Sequence, residues 1–164
     1  MTGSATPALV ALRSADIPHV VHEYELDEAR ARTEGRHAYG LEAAAALGVA
    51  PGRIFKTLVA TVDGRLVMAV VPVSGELDLK ALAESVGGRR AAMAEAAAAE
   101  RATGYVVGGI SPLAGRRRLT TVIDRSAFAH GTILVSAGRR GLQVELDPSA
   151  LVRLTGALVA SIAC

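Results

Sequence analysis

Apolar positions along the chain change their period several times. Leu9, Val10 and Leu12 follow Thr6-Pro7, a hydroxyl N-cap before a proline suited to the first helical position. A helix therefore starts there and ends before Ile17-Pro18. From His19 to Leu26 the period drops to two, which predicts a strand. Val20, His22, Tyr24 and Leu26 share one of its faces, and Val21, Glu23 and Glu25 the other. Residues 27 to 37 are charged and irregular. Glu42 to Leu47 predicts an alanine-rich helix closed by Gly48. Arg53 to Val62 and Arg65 to Val71 are apolar on both faces and joined by Asp63-Gly64. That is the pattern of a hairpin of central, covered strands.

Beyond Pro72 the pattern fragments. Asp78 caps a helix carrying Leu79, Leu82 and Val86, stopped by Gly87-Gly88, and Ala94 to Ala102 predicts another. Tyr105 to Val107 reads as a short strand running into Gly108-Gly109-Ile110-Ser111-Pro112. Leu119 to Ile123 and Thr132 to Ser136 read as strands. Gly138-Arg139-Arg140-Gly141 turns the chain so that Leu142 to Leu146 pairs back, and Asp147-Pro148 opens a last helix. Strands and helices mix without regular alternation, and several strands come as hairpins. This predicts an α+β single domain with a mixed, largely antiparallel sheet, and excludes a doubly wound nucleotide fold.

Composition narrows the picture. The 164 residues suit one domain. Hydrophobic residues make up 51% but aromatics only 3%, so the core is aliphatic and a base-stacking platform is not expected. No apolar run is long enough to span a membrane, and the first residues lack a signal-peptide pattern. The expectation is a cytoplasmic protein with a disordered tail over residues 1–5 and one domain over 6–164. The single cysteine, Cys164, allows no intrachain disulfide and no zinc-type pair. A formal net charge of +2 permits an anionic partner without demanding one.

Only two of the 18 basic residues are lysines, and Lys56 is the conspicuous one. It points the same way as Ile54 and Leu58 on a strand that reads as central. Either its stem snorkels to solvent, or its ammonium waits at a pocket floor for a phosphate, carboxylate or carbonyl oxygen. Gly108-Gly109 also admits two readings. It makes a tight turn or bulge, or it lets a ligand approach backbone N–H groups that stabilise negative oxygen. Arg116-Arg117-Arg118 and Arg139-Arg140 are solvated turns or contacts for a nucleic-acid backbone. His19, His22, His37 and His130 show no metal-ligand spacing. His22 and Tyr24 share a strand face and belong to a pocket or to the core. Neither the dinucleotide glycine fingerprint nor a P-loop occurs, and Ser111 precedes proline rather than sitting in a nucleophile elbow.

Several segments together resemble a known family. They are Thr6-Pro7-Ala8, His22-Glu23-Tyr24, Ile54-Phe55-Lys56-Thr57-Leu58, Gly75-Glu76-Leu77-Asp78-Leu79-Lys80, the run from Thr103 to Leu113, and the run from Val135 to Leu142. In order and spacing they are similar to the YbaK/EbsC proteins over nearly the whole chain. That family includes the editing domain inserted in bacterial prolyl-tRNA synthetase and free-standing deacylases of Cys-tRNA(Pro) and Ala-tRNA(Pro).

The resemblance implies a barrel-like sheet flanked by helices and a trans-editing aminoacyl-tRNA deacylase. Such an enzyme clears mischarged Cys-tRNA(Pro), or Cys-tRNA(Cys), because a synthetase pocket discriminates poorly between amino acids of similar size. It implies Lys56 and Gly108 at the reacting centre. Tyr24, His22, Thr57, Gly109, Ile110, Ser111, Ser136 and Gln143 would bind the substrate. The implied chemistry is attack by the substrate's own thiol, with no metal or cofactor. The implied partners are the 3′ end of aminoacyl-tRNA and prolyl-tRNA synthetase. One departure stands out: Gln143 occupies a position that is acidic in the bacterial Cys-tRNA(Pro) deacylase, and brings no charge. Two alternatives remain open, an Ala-tRNA(Pro) deacylase using water and a non-catalytic tRNA- or synthetase-binding module.

Overall fold

The computed structural model describes residues 5–26 and 36–164. The tail expected over 1–5, save exposed Ala5, and most of the charged stretch from 27 to 37 lie outside the described residues. Helix α1 spans Pro7–Ser14, and the Thr6 hydroxyl accepts from the Leu9 N–H as its N-cap. Strand β1 is Val20–Glu23 and helix α2 is Arg36–Leu47. The hairpin is β2, Phe55–Val62, and β3, Arg65–Pro72. Helix α3, Leu79–Ser85, is capped by Asp78; β4 is Ala91–Met93; α4 is Ala96–Thr103, closed by Gly104 in the left-handed region. Strand β5, Thr120–Asp124, leads into a 3₁₀ turn, Arg125–Ala129. The second hairpin is β6, Ile133–Ser136, and β7, Leu142–Leu146. Helix α5, Pro148–Thr155, is capped by Asp147, and β8 is Leu158–Ala160.

The strands divide into two sheets. One is antiparallel, in the order β1-β7-β6; the other is mixed, in the order β4-β2-β3-β5-β8, with β3/β5 and β5/β8 parallel. A bridge between Ile54 and Leu134 links them, and they do not close into a barrel. The α+β, mixed-sheet expectation holds, and β2 and β3 are interior strands as their two-sided apolar pattern requires.

Several local expectations change, and the strand expected from His19 to Leu26 shortens to Val20–Glu23, so Tyr24 lies just past its end. Tyr105 to Val107 is a turn and not a strand: the Gly109 N–H returns to the Val106 carbonyl at 2.8 Å, leaving no ladder. Strands β4 and β8 go unannounced by sequence, since each has three residues at a sheet edge and is largely exposed. The helix from Glu42 to Leu47 begins six residues earlier, at Arg36.

The core is aliphatic, as the composition requires. Leu9 and Leu12 of α1 and Leu151 of α5 pack on Val135, Leu142, Val144 and Leu146 of the three-stranded sheet. One face of β2 and β3 carries Ala60, Val67, Ala69 and Val71 against Leu82 of α3. The opposite face carries Val59 and Met68 against Ala99 and Ala102 of α4, with Tyr105 and Ile110 from the following loop. The start of β2, the three-stranded sheet and the glycine loop thus converge, and a cavity opens between them.

Candidate functional site

The cavity holds about 190 Å³. Drug-sized ligands occupy about 300–1,000 Å³, so this space suits a small group. Its walls come from Tyr39–Leu41 of α2, the first half of β2, Ala96 and Ala99 of α4, the loop residues Val107, Gly108 and Ile110, and Ser136 and Gln143 where β6 and β7 meet. Of the residues expected at the site, Lys56, Thr57, Gly108, Ile110, Ser136 and Gln143 all line it.

Lys56 reaches the cavity from a strand that carries no other charge, with its side chain 18% exposed. Its ammonium lies 3.8 Å from an oxygen of Glu76, whose side chain is 64% exposed. That pair is long and wet on one side, so it holds the cation weakly. The stem lies between the two sequence-based readings: largely covered, with its charge at the cavity edge.

Two neutral polar atoms have no partner among the described residues. The Thr57 hydroxyl oxygen and the Gln143 side-chain carbonyl oxygen are both fully buried. Leaving such a group unsatisfied costs about 1–3 kcal/mol. Both belong to residues that line the cavity, so a ligand there can satisfy them. Ser136 is different, because its hydroxyl already accepts from the Gly138 N–H at 3.3 Å and serves the hairpin turn.

The remaining expected residues stand elsewhere. Tyr24 is half-buried behind Gln143 and is not among the cavity-lining residues. Burial pushes its phenol up, and hydrogen bonds with Gln143 and the Gly141 backbone pull it partly back. It therefore holds the glutamine that faces the cavity. His22 lies opposite Gln143 on the same face, but its Nε2 is 2.9 Å from Glu145 Oε1. Glu145 also takes Arg53 and the Thr132 hydroxyl. The Thr132 and His22 contacts, ahead of the Arg53 charge, outweigh its burial and hold its carboxyl below the ordinary value. This network occupies His22 outside the cavity.

Gly109 presses on the Arg139–Arg140 backbone; a Cβ there would meet Arg139 at 2.8 Å. Ser111 is fully buried, and its hydroxyl accepts from the Leu113 N–H at 3.2 Å. Neither is among the cavity-lining residues, and these contacts serve the packing of the loop. The double glycine is thus already demanded by packing, since a Cβ on Gly108 would strike Arg140 at 2.8 Å and Tyr39 at 2.9 Å.

Sequence reasoning missed two participants, Tyr39 and Arg140. The Arg140 guanidinium lies 4.6 Å from the Tyr39 ring centroid and donates to the Val107 carbonyl through Nε at 3.0 Å and Nη2 at 2.8 Å. Nothing in local sequence separates it from Arg139, which pairs with Glu23 at 3.2 Å on the surface. Among the described residues no group of three or more His, Cys, Asp or Glu could hold a metal ion, and no helix is long and apolar enough to cross a membrane.

Two bridged sheets with a small cavity between them, edged by a covered lysine and lined by two unpartnered neutral oxygens, define an α+β ligand-handling domain. Residues 34–154 match the aminoacyl-tRNA editing domain, and the chain belongs to that family. It is 36% identical over 163 residues to a protein of Enterococcus faecalis carrying the name Cys-tRNA(Pro)/Cys-tRNA(Cys) deacylase EbsC; the match covers 98% of this chain and 94% of that protein. The multifunctional Ser/Thr-tRNA deacylase ProXp-y of Escherichia coli K12 is 30% identical over 152 residues, covering 90% of this chain and 84% of its own. Among solved structures, one named as a trans-editing enzyme for prolyl-tRNA synthetase superposes with a TM-score of 0.81 at 25% identity, covering 100% of this chain and 99% of its own. The family resemblance drawn from the sequence is borne out.

Proposed function

We propose that this domain deacylates mischarged tRNA in trans, with Cys-tRNA(Pro) as its principal substrate. The observation that carries the reading is the pair of buried, unpartnered oxygens on Thr57 and Gln143 in a cavity edged by the Lys56 ammonium. An aminoacyl ester on a terminal adenosine is complementary to that set. Its α-ammonium donates to the Gln143 carbonyl oxygen, and its phosphate or ribose oxygens meet Lys56. The ester carbonyl then lies toward Gly108, whose N–H opposes the charge that develops on oxygen. The name carried by the Enterococcus relative supports cysteine.

For cysteine the reaction needs no nucleophile from the protein. The substrate sulfur forms a bond to its own ester carbonyl carbon. The bond from that carbon to the ribose oxygen breaks, and the thiol proton passes to the departing oxygen. The amino acid leaves as a thiolactone. The domain contributes confinement and charge complementarity. The work belongs in the cytoplasm, where tRNA is charged, and prolyl-tRNA synthetase is the proposed partner, supported by the structural relative named for that synthetase.

The test is a deacylation panel of Cys-, Ala-, Ser- and Pro-charged tRNA(Pro) with product identification. Rapid loss of cysteine as a thiolactone, and survival of an S-methylcysteinyl ester, are expected. Equal turnover of the S-methyl ester would assign the attack to water. Tight tRNA binding with no turnover on any substrate would make the domain a binding module.

A further inference from the structure

Val106 to Gly109 form a β-turn, closed by the Gly109 N–H on the Val106 carbonyl at 2.8 Å. Gly108, its third residue, has φ +92°, while Val107 is not among the positive-φ residues, which identifies a type II turn. Type I and type II turns differ by a flip of the central peptide unit, here the one joining Val107 to Gly108. Glycine at the third position tolerates both, so the turn sequence by itself does not choose.

The structure makes the choice through Arg140. In a planar trans peptide the carbonyl and the N–H point in opposite directions, and no cis bond occurs among the described residues. The Val107 carbonyl is gripped by Nε and Nη2 of Arg140. The Gly108 N–H of the same unit must therefore point away from Arg140, and it has no partner among the described residues. The preceding peptide is pinned as well, since the Val107 N–H donates to Glu100 Oε2 at 2.9 Å. The guanidinium also lies over the Tyr39 ring, 4.6 Å from its centroid, a cation–π contact that helps hold the fork.

We infer that Arg140 is a positioning residue for the reaction, locking the Val107–Gly108 peptide so that the Gly108 N–H is presented to the ester oxygen. This deepens the deacylase reading and rests on it for its catalytic meaning. Arg140 does not touch substrate; it acts through the peptide it holds. A flipped peptide would turn the Val107 carbonyl, with its partial negative charge, toward the place where negative charge develops.

The experiment compares wild type with Arg140→Lys and Arg140→Met, which keep an unbranched side chain of similar length but lose the two-pronged grip. Single-turnover deacylation should slow by about 10²-fold, the scale of losing one backbone donor, while KM changes less than about threefold. In Arg140→Ala, a small guanidinium salt below denaturing concentration should restore part of the rate. Independently of activity, the Val107 carbonyl and Gly108 amide resonances should shift in every variant, with the Lys56 and Thr57 resonances unmoved. Wild-type rates in the variants, or a raised KM with unchanged kcat, would overturn the proposal. If the wild-type protein deacylates nothing, the deacylase reading fails; unshifted Gly108 resonances would then overturn the peptide lock separately.

Discussion

The Lys56 ammonium and a Glu76 carboxylate oxygen stand 3.8 Å apart, but one side chain is 18% exposed and the other 64%. Both residues line the cavity, the lysine mostly covered and the glutamate at its open, solvated edge. Losing the glutamate should therefore matter little to folding. Glu76→Gln is expected to change unfolding free energy by less than about 1 kcal/mol. Lys56→Ala should keep the fold and lower deacylation by about 10²-fold or more. Paired urea melts and turnover assays check both, and normal turnover by Lys56→Ala would remove it from the mechanism.

Thr57→Val should separate stability from activity. The hydroxyl oxygen is buried without a partner, and valine matches its shape. The variant is expected to gain up to about 1 kcal/mol in stability while losing turnover. A variant that is less stable would mean that the hydroxyl already has a partner in solution.

The Tyr105 hydroxyl donates to the Leu113 carbonyl at 2.7 Å and so closes the loop that carries Gly108 to Ser111. Burial pushes its phenol up to about 12. Tyr105→Phe should cost about 1–2 kcal/mol by leaving that carbonyl unsatisfied. A spectroscopic pH titration should lose one late-ionising tyrosine at the same time.

Acid should destabilise the protein through carboxylates whose values the fold lowers, Asp124 and Glu145 among them. Burial alone would raise Asp124, but hydrogen bonds from the Ser126 hydroxyl and from the N–H groups of Ile162, Ser126 and Ala163 outweigh it, and the net value is lowered. Glu145 is lowered by Thr132 and His22. A depressed folded value means that each group stabilises the fold fully above its unfolded value, and that this contribution is lost as pH falls through the folded one. Stability should drop between about pH 5 and pH 2, and Asp124→Asn should flatten that drop. An unchanged acid profile in the variant would exclude Asp124 as a source.

Much of this architecture is written in local sequence. Thr6, Asp78 and Asp147 announce their helices because a capping side chain acts within three residues. The central hairpin is announced by its two-sided apolar pattern and Asp63-Gly64. Lys56 is conspicuous because a cation in such a strand requires a reason. Other features depend on contacts across long separations, which no local pattern encodes. His22 faces Gln143 across the sheet and Tyr24 follows the end of its strand, yet Glu145 draws the histidine away and the tyrosine stands behind the glutamine. Gly109 and Ser111 sit in a conspicuous motif but serve the packing of the loop. Arg139 and Arg140 are identical in type and adjacent in sequence. Only the tertiary structure sends one to surface Glu23 and the other to the Val107 carbonyl, because a side chain's partner is set by which distant backbone folds beside it.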